Sequence, residues 1–179
     1  MYSYKRWRHT RGFGVHSPYA YRFVENVVHP GRLYSYYGYS DIDATCGSEG
    51  FSRRVRREAR MFLRFLVFMN PKSVYIPVGA NAAFHAAANA LGKSLHIERK
   101  PKNAEKCEIL TSHRNFTPLE TLCRHLAVSG HSITLINAPE GWNEELFNAL
   151  PSGLMIFGKH NTIVISRDGM QKIAYEMSI

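Results

Sequence analysis

Between Phe51 and Met69, the residues Phe51, Val55, Ala59, Phe62, Leu63 and Leu66 recur at helical spacing and draw one apolar stripe. Arg53, Arg54, Arg57, Arg60 and Arg64 fall on the other faces, and Asn70-Pro71 ends the pattern. The run Ser73 to Val78 (SVYIPV) suits a buried strand, Gly79-Ala80-Asn81 a turn, and Ala82 to Leu91 an alanine-rich helix closed by Gly92. Ser94 to Ile97 reads as a second strand ending in Glu98, and Lys106 to Leu110 as a third. Thr117-Pro118-Leu119-Glu120 combines a cap, a proline at the first helical position and a capping-box acid, predicting a helix to Ser129. Ser132 to Ile136 is the fourth strand, followed by a short helix around Asn143 to Leu150. Gly153 to Phe157, Thr162 to Ser166 and Met170 to Met177 are the last strands, and the turn Arg167-Asp168-Gly169 predicts a hairpin joining the final two.

Strands alternating with helices imply an α/β class with a mainly parallel sheet flanked by helices, to which a C-terminal antiparallel hairpin adds an edge. The first 50 residues lack this rhythm. Within them Ser17 and Pro18 open a short helix over Tyr19 to Val28, which His29-Pro30-Gly31 stops; Arg32 to Gly50 reads as loop. A chain of 179 residues fits one domain, with residues 1–50 as an N-terminal extension or lid and 51–179 as the α/β core.

Composition narrows the class only a little. The longest apolar run, Met61 to Met69, is broken by Arg64 and falls far short of the roughly 20 residues of a membrane span. The polar, aromatic N-terminus lacks the pattern of a secretory leader, so a cytoplasmic protein without a membrane partner is expected. Cys46, Cys107 and Cys123 have no metal-ligand or disulfide spacing, and no metal site is expected. The net charge of +9 is uneven: residues 1–64 hold 12 Lys and Arg against 5 Asp and Glu. Such a surplus suits an acidic partner such as nucleic acid, an anionic cofactor or another protein, and equally a solvated face. The arginine face of the long helix has the same two readings, a grip on phosphates or a solvated surface with snorkelling stems.

In open parallel sheets, ligands sit beyond the carboxyl ends of the strands where strand order reverses. The turn after the first strand is therefore the place for a nucleotide-type ligand. Glycine lets the backbone approach, and an acid about 20 residues on takes ribose hydroxyls. Gly79 is present, and Glu98 follows 19 residues later. The loop Gly79-Ala80-Asn81-Ala82-Ala83 holds one glycine, and Pro77 sits near the end of the strand.

The run Arg11-Gly12-Phe13-Gly14-Val15-His16-Ser17-Pro18-Tyr19-Ala20-Tyr21 resembles the opening segment, Gly-x-Gly-Ile-His-Ser-Pro-Phe, of a family of bacterial class I S-adenosylmethionine-dependent methyltransferase-like proteins. Later segments are similar in the same order, from Pro71–Ala88 as first strand and cofactor loop to Leu154–Phe157 as fifth strand. The resemblance implies a Rossmann-like methyltransferase fold with S-adenosylmethionine as cofactor. Gly79, Ala80, Asn81, Glu98, Asn115, Phe116 and Asn137 would then form the cofactor site, with His16 and Ser17 folding over it as a lid. The chain departs from the family where the chemistry lies. Pro77 stands in place of the strand-one acid, Ala83 in place of a second loop glycine, and Asn137 in place of the strand-four acid. After strand five, Gly158-Lys159-His160 replaces the family's Asp residues and helix.

Three functions are compatible with these residues. One is a methyltransferase-like protein with a degraded cofactor loop, weakly catalytic or non-catalytic and acting by binding a small molecule or a protein. The second is an active methyltransferase of undefined acceptor, in which His160 would be a candidate general base. The third is a basic nucleic-acid-binding module using the N-terminal charge with Tyr2, Tyr4, Trp7, Tyr19 and Tyr21. His85, on the helix after the loop, has both a ligand-contact and a purely structural reading, and Ser17 serves equally as a helix cap.

Overall fold

Ser17 opens the first helix by the mechanism its side chain offers. In the computed structural model its backbone is extended (φ −80°, ψ 121°) and its Oγ accepts from the Ala20 amide at 3.4 Å, with proline in the first turn. The structure describes residues 17–28, 52–80, 82–113, 132–136, 140–150, 152–158, 161–166, 169–170 and 172–176, with positions 122, 124 and 125. Helix α1 (Pro18–Phe23) continues into a π-helical turn over Val24–Val28 and buries Ala20, Phe23, Val24, Val27 and Val28.

Helix α2 (Arg53–Met69) starts at Ser52, whose Oγ accepts from the Val55 amide at 3.3 Å. It ends at Asn70, which takes a left-handed conformation (φ 47°, ψ 53°) and donates its amide to the Leu66 carbonyl at 2.8 Å. Ala59, Phe62, Leu63 and Leu66 of the expected stripe are buried, joined by Met61 and Phe65. Glu58 is also buried, and its Oε1 accepts from Arg54 Nε at 2.9 Å.

Three parallel strands follow, β1 (Ser73–Tyr75), β2 (His96–Glu98) and β3 (Ile109–His113), with α3 (Ala82–Ala90) between the first two. A 3-10 segment, Pro101–Lys106, links β2 to β3. Strand β4 (Ser132–Ile136) runs parallel to β3, and α4 (Glu140–Ala149) leads to β5 (Gly153–Phe157), β6 (Asn161–Ser166) and β7 (Ile173–Glu176). One seven-stranded sheet results, in the order β2-β1-β3-β4-β6-β5-β7. It is mixed: β6 pairs antiparallel with both β4 and β5, and every other pairing is parallel.

Alternation along the strands divides the core between the two faces. Val74, Ile109, Leu154, Ile156, Ile163 and Ile165 join α1, α2 and α3 on one side. Their neighbours Tyr75, Leu110, Met155 and Val164 join Leu146 of α4, Leu150 just after it, Ala104, Cys107 and Leu122 on the other. Edge-to-face rings knit the first side: Phe23 to Phe68 at 5.4 Å and Phe62 to Phe84 at 4.4 Å between centroids.

Four expectations need correction. The third strand lies at Ile109–His113 instead of Lys106–Leu110, because Pro101–Lys106 coils into 3-10 turns. The helix before β5 begins at Glu140, three residues before Asn143. The last strand starts at Ile173, three residues after Met170, and is described over Ile173–Glu176. The final two strands do not form a hairpin with each other; β5 and β6 do, and β7 crosses to the far side of β5, parallel to it. The antiparallel strand is thus interior. Its composition explains this: every residue of β6 is buried, whereas β7 is mostly half-buried and suited to an edge.

Candidate functional site

The chain leaves β1 for β2 on one side and then returns past β1 to β3 on the other, so strand order reverses at β1. A crevice forms beyond the carboxyl ends at such a reversal. Its described wall begins with Ile76, whose amide extends the pairing by donating to the Glu98 carbonyl at 3.0 Å. Pro77 has no amide proton to continue the ladder and is buried. Its carbonyl instead accepts from the Ala80 amide at 2.8 Å and closes the turn around Val78 and Gly79. Val78 is 77% exposed at the tip, an unusual position for a branched apolar residue.

Glu98 ends β2 at this edge, as expected, but its carboxylate is already engaged. Oε1 accepts from the Arg99 amide at 2.8 Å and the Lys100 amide at 2.7 Å, and Oε2 from Asn103 Nδ2 at 2.8 Å. The Lys100 amide, followed by the Asn103 side chain, holds the carboxyl down at about 2. Of roughly four acceptor positions on a carboxylate, three organise the loop after β2. One acceptor position remains on Oε2.

His85 reaches the same edge from α3. Its pKa is lowered, chiefly by burial; a hydrogen bond to the Pro77 backbone opposes the shift and the Arg99 charge adds to it. Burial thus favours the neutral imidazole at this edge. Ala83 is fully buried in the core beneath α1, α2 and α3.

Gly79, Ala80 and Glu98 are thus brought to one edge, while Ser17 is engaged as a helix cap. Asn81, Asn115, Phe116, Asn137, His16 and His160 lie outside the described residues, as do Tyr2, Tyr4 and Trp7. A fit test of the described wall against a nucleoside cofactor fails in part: Glu98 is largely consumed, and Pro77 supplies neither charge nor amide.

Sequence reasoning missed Asn161. It opens β6 opposite Ile136, the last residue of β4, and so stands at the carboxyl edge of the parallel strands. The residue is 4% exposed, and its Oδ1 has no hydrogen-bond partner among the described residues. A buried amide oxygen left unmatched is costly, which marks this position as one suited to a donor group. The available signal was a lone polar residue heading the β-branched run Thr162 to Ile165.

Among the described residues no three His, Cys, Asp or Glu side chains gather as metal ligands, and no helix is long and apolar enough to cross a membrane. The remaining described thiol, Cys107, is free and buried, and burial, helped by the Glu98 charge, pushes it up to about 11. It is a core residue and a poor nucleophile. No family model, curated protein or solved structure matches the chain.

Proposed function

We propose that the protein is a degenerate relative of S-adenosylmethionine-dependent methyltransferases, with a Rossmann-like fold, that acts by binding rather than by efficient methyl transfer. The observation that carries this reading is the reversal of strand order at β1, with the Gly79 turn and Glu98 at one edge. The resemblance of the segment Arg11 to Tyr21 supports it independently. The degenerate part of the reading rests on Glu98. Most of its acceptor capacity holds Arg99, Lys100 and Asn103, while Pro77 closes a turn where the resembled family has an acid. Active methyl transfer is the competing reading, since the reaction depends mostly on positioning a sulfonium and a nucleophile in line.

Calorimetric titration with S-adenosylmethionine and then S-adenosylhomocysteine separates the two. The expected result is a dissociation constant near or above about 1 mM, equivalent to about 4 kcal/mol or less. Binding at about 1 μM, or about 8 kcal/mol, would overturn the degenerate reading in favour of an active enzyme.

A further inference from the structure

Helix α2 carries six arginines and no lysine, and its first turn holds no acid. Arg53, Arg56, Arg57, Arg60 and Arg64 line one open depression of about 480 Å³ on its outer face, with Arg64 half-buried and its Nε donating to the Val27 carbonyl at 2.9 Å. At 100° per residue these five positions fall within about 100° of arc, opposite the buried Ala59, Phe62 and Leu66, and at 1.5 Å per residue they span about 16 Å. The arrangement works against the helix. Arg53 and Arg57, Arg56 and Arg60, and Arg60 and Arg64 are like charges at i,i+4, and the first turn places arginine at the positive end of the helix dipole. A face needed only for solubility would mix signs.

We propose that this row binds the phosphodiester backbone of nucleic acid without reading its bases. Guanidinium forks match phosphate oxygens, and an extended row suits a polymer of regularly repeated charge better than a compact anion. Among the described residues the lining is arginine alone, which supplies forks for phosphate and no aromatic platform for stacked bases. An anionic membrane fits poorly because the apolar face that would enter lipid is spent in the core, with Phe62, Leu63, Phe65 and Leu66 at most 1% exposed. The short connection from Asn70 to Lys72 brings the chain directly into β1, whose Val74 shares the core with α2. The inference stands independently of whether a cofactor binds.

The test is fluorescence anisotropy of the full chain with a labelled mixed-sequence oligonucleotide of about 16 nucleotides. Binding is expected to show a log–log salt slope approaching about −2.8 for four contacts on a single strand. The triple substitution Arg53→Gln, Arg56→Gln, Arg57→Gln is expected to lower that slope by about 2 units and to weaken binding equally across sequences. Because it relieves like-charge repulsion, this variant should melt no lower than the parent, so loss of binding cannot be ascribed to unfolding. Lys172→Gln, beyond the row on the Phe147 ring, is expected to leave binding unchanged. Absent binding, salt-independent binding, or equal binding by the triple variant would each overturn the proposal. So would polyaspartate or anionic vesicles competing as well as the oligonucleotide, since either would assign the row to another class of partner.

Discussion

A carboxylate that accepts three hydrogen bonds is a structural fastener before it is a ligand contact. Glu98 meets two consecutive amides and one side-chain amide, and this holds its carboxyl at about 2, below the usual 4.5. With the folded value depressed, the contribution to stability is complete above the ordinary value and is lost as pH falls from about 4.5 through about 2. A carbon-detected NMR titration of the Glu98 side chain should therefore show a midpoint near 2. A midpoint near the ordinary value would mean that the three bonds do not persist in solution. Glu98→Gln should speed amide exchange at Arg99 and Lys100, because the remaining acceptor is neutral and Asn103 loses a charge-assisted partner.

At the level of elements, the hairpin of β5 and β6 depends on one glycine. Gly153 has φ 125°, and a Cβ at that position would overlap the Ile165 carbonyl of the neighbouring strand. Gly92, with φ 68°, faces open space. Urea unfolding should separate the two: Gly92→Ala is expected to cost about 1–2 kcal/mol from backbone conformation alone, and Gly153→Ala at least about 2 kcal/mol because strand and substituent must also move apart. Equal losses would refute the close approach. The same hairpin shows where sequence legibility stops. The capping residue Ser17, the stripe on α2, the stop at Asn70 and the acid closing β2 were all readable, because each is decided within one or two turns of chain. Pairing was not. Leu154 to Ile156 and Thr162 to Ile165 are buried on both faces, so no polar alternation identifies a partner, and the local turn signal at Arg167-Asp168-Gly169 says nothing of which strand β7 will meet. Asn161 escaped for a related reason, since only the pairing of β6 with β4 brings it to the ligand edge.

Across the whole molecule, the sheet separates two apolar cores that share strands but not side chains. Ile163 packs with the helices α1 to α3, and Leu146 with the opposite cluster. Ile163→Val should cost about 0.5–1.5 kcal/mol and Leu146→Ala about 2–5 kcal/mol. Their double variant should match the sum within about 0.5 kcal/mol by urea unfolding, as expected of sites without shared partners. A larger discrepancy would mean that strain crosses the sheet and that the two layers respond as one.

The interior place of β6 also bears on how the chain is made. During synthesis β4 emerges well before Asn161 to Ser166, and its outer edge has no partner until β6 arrives from beyond β5. For that interval the nascent protein carries two open edges facing one gap, the condition under which strands join neighbours on other chains. Crowded polysomes should therefore be the most hazardous setting for this protein, and the pairing of β6 with β4 and β5 the step at which the hazard ends.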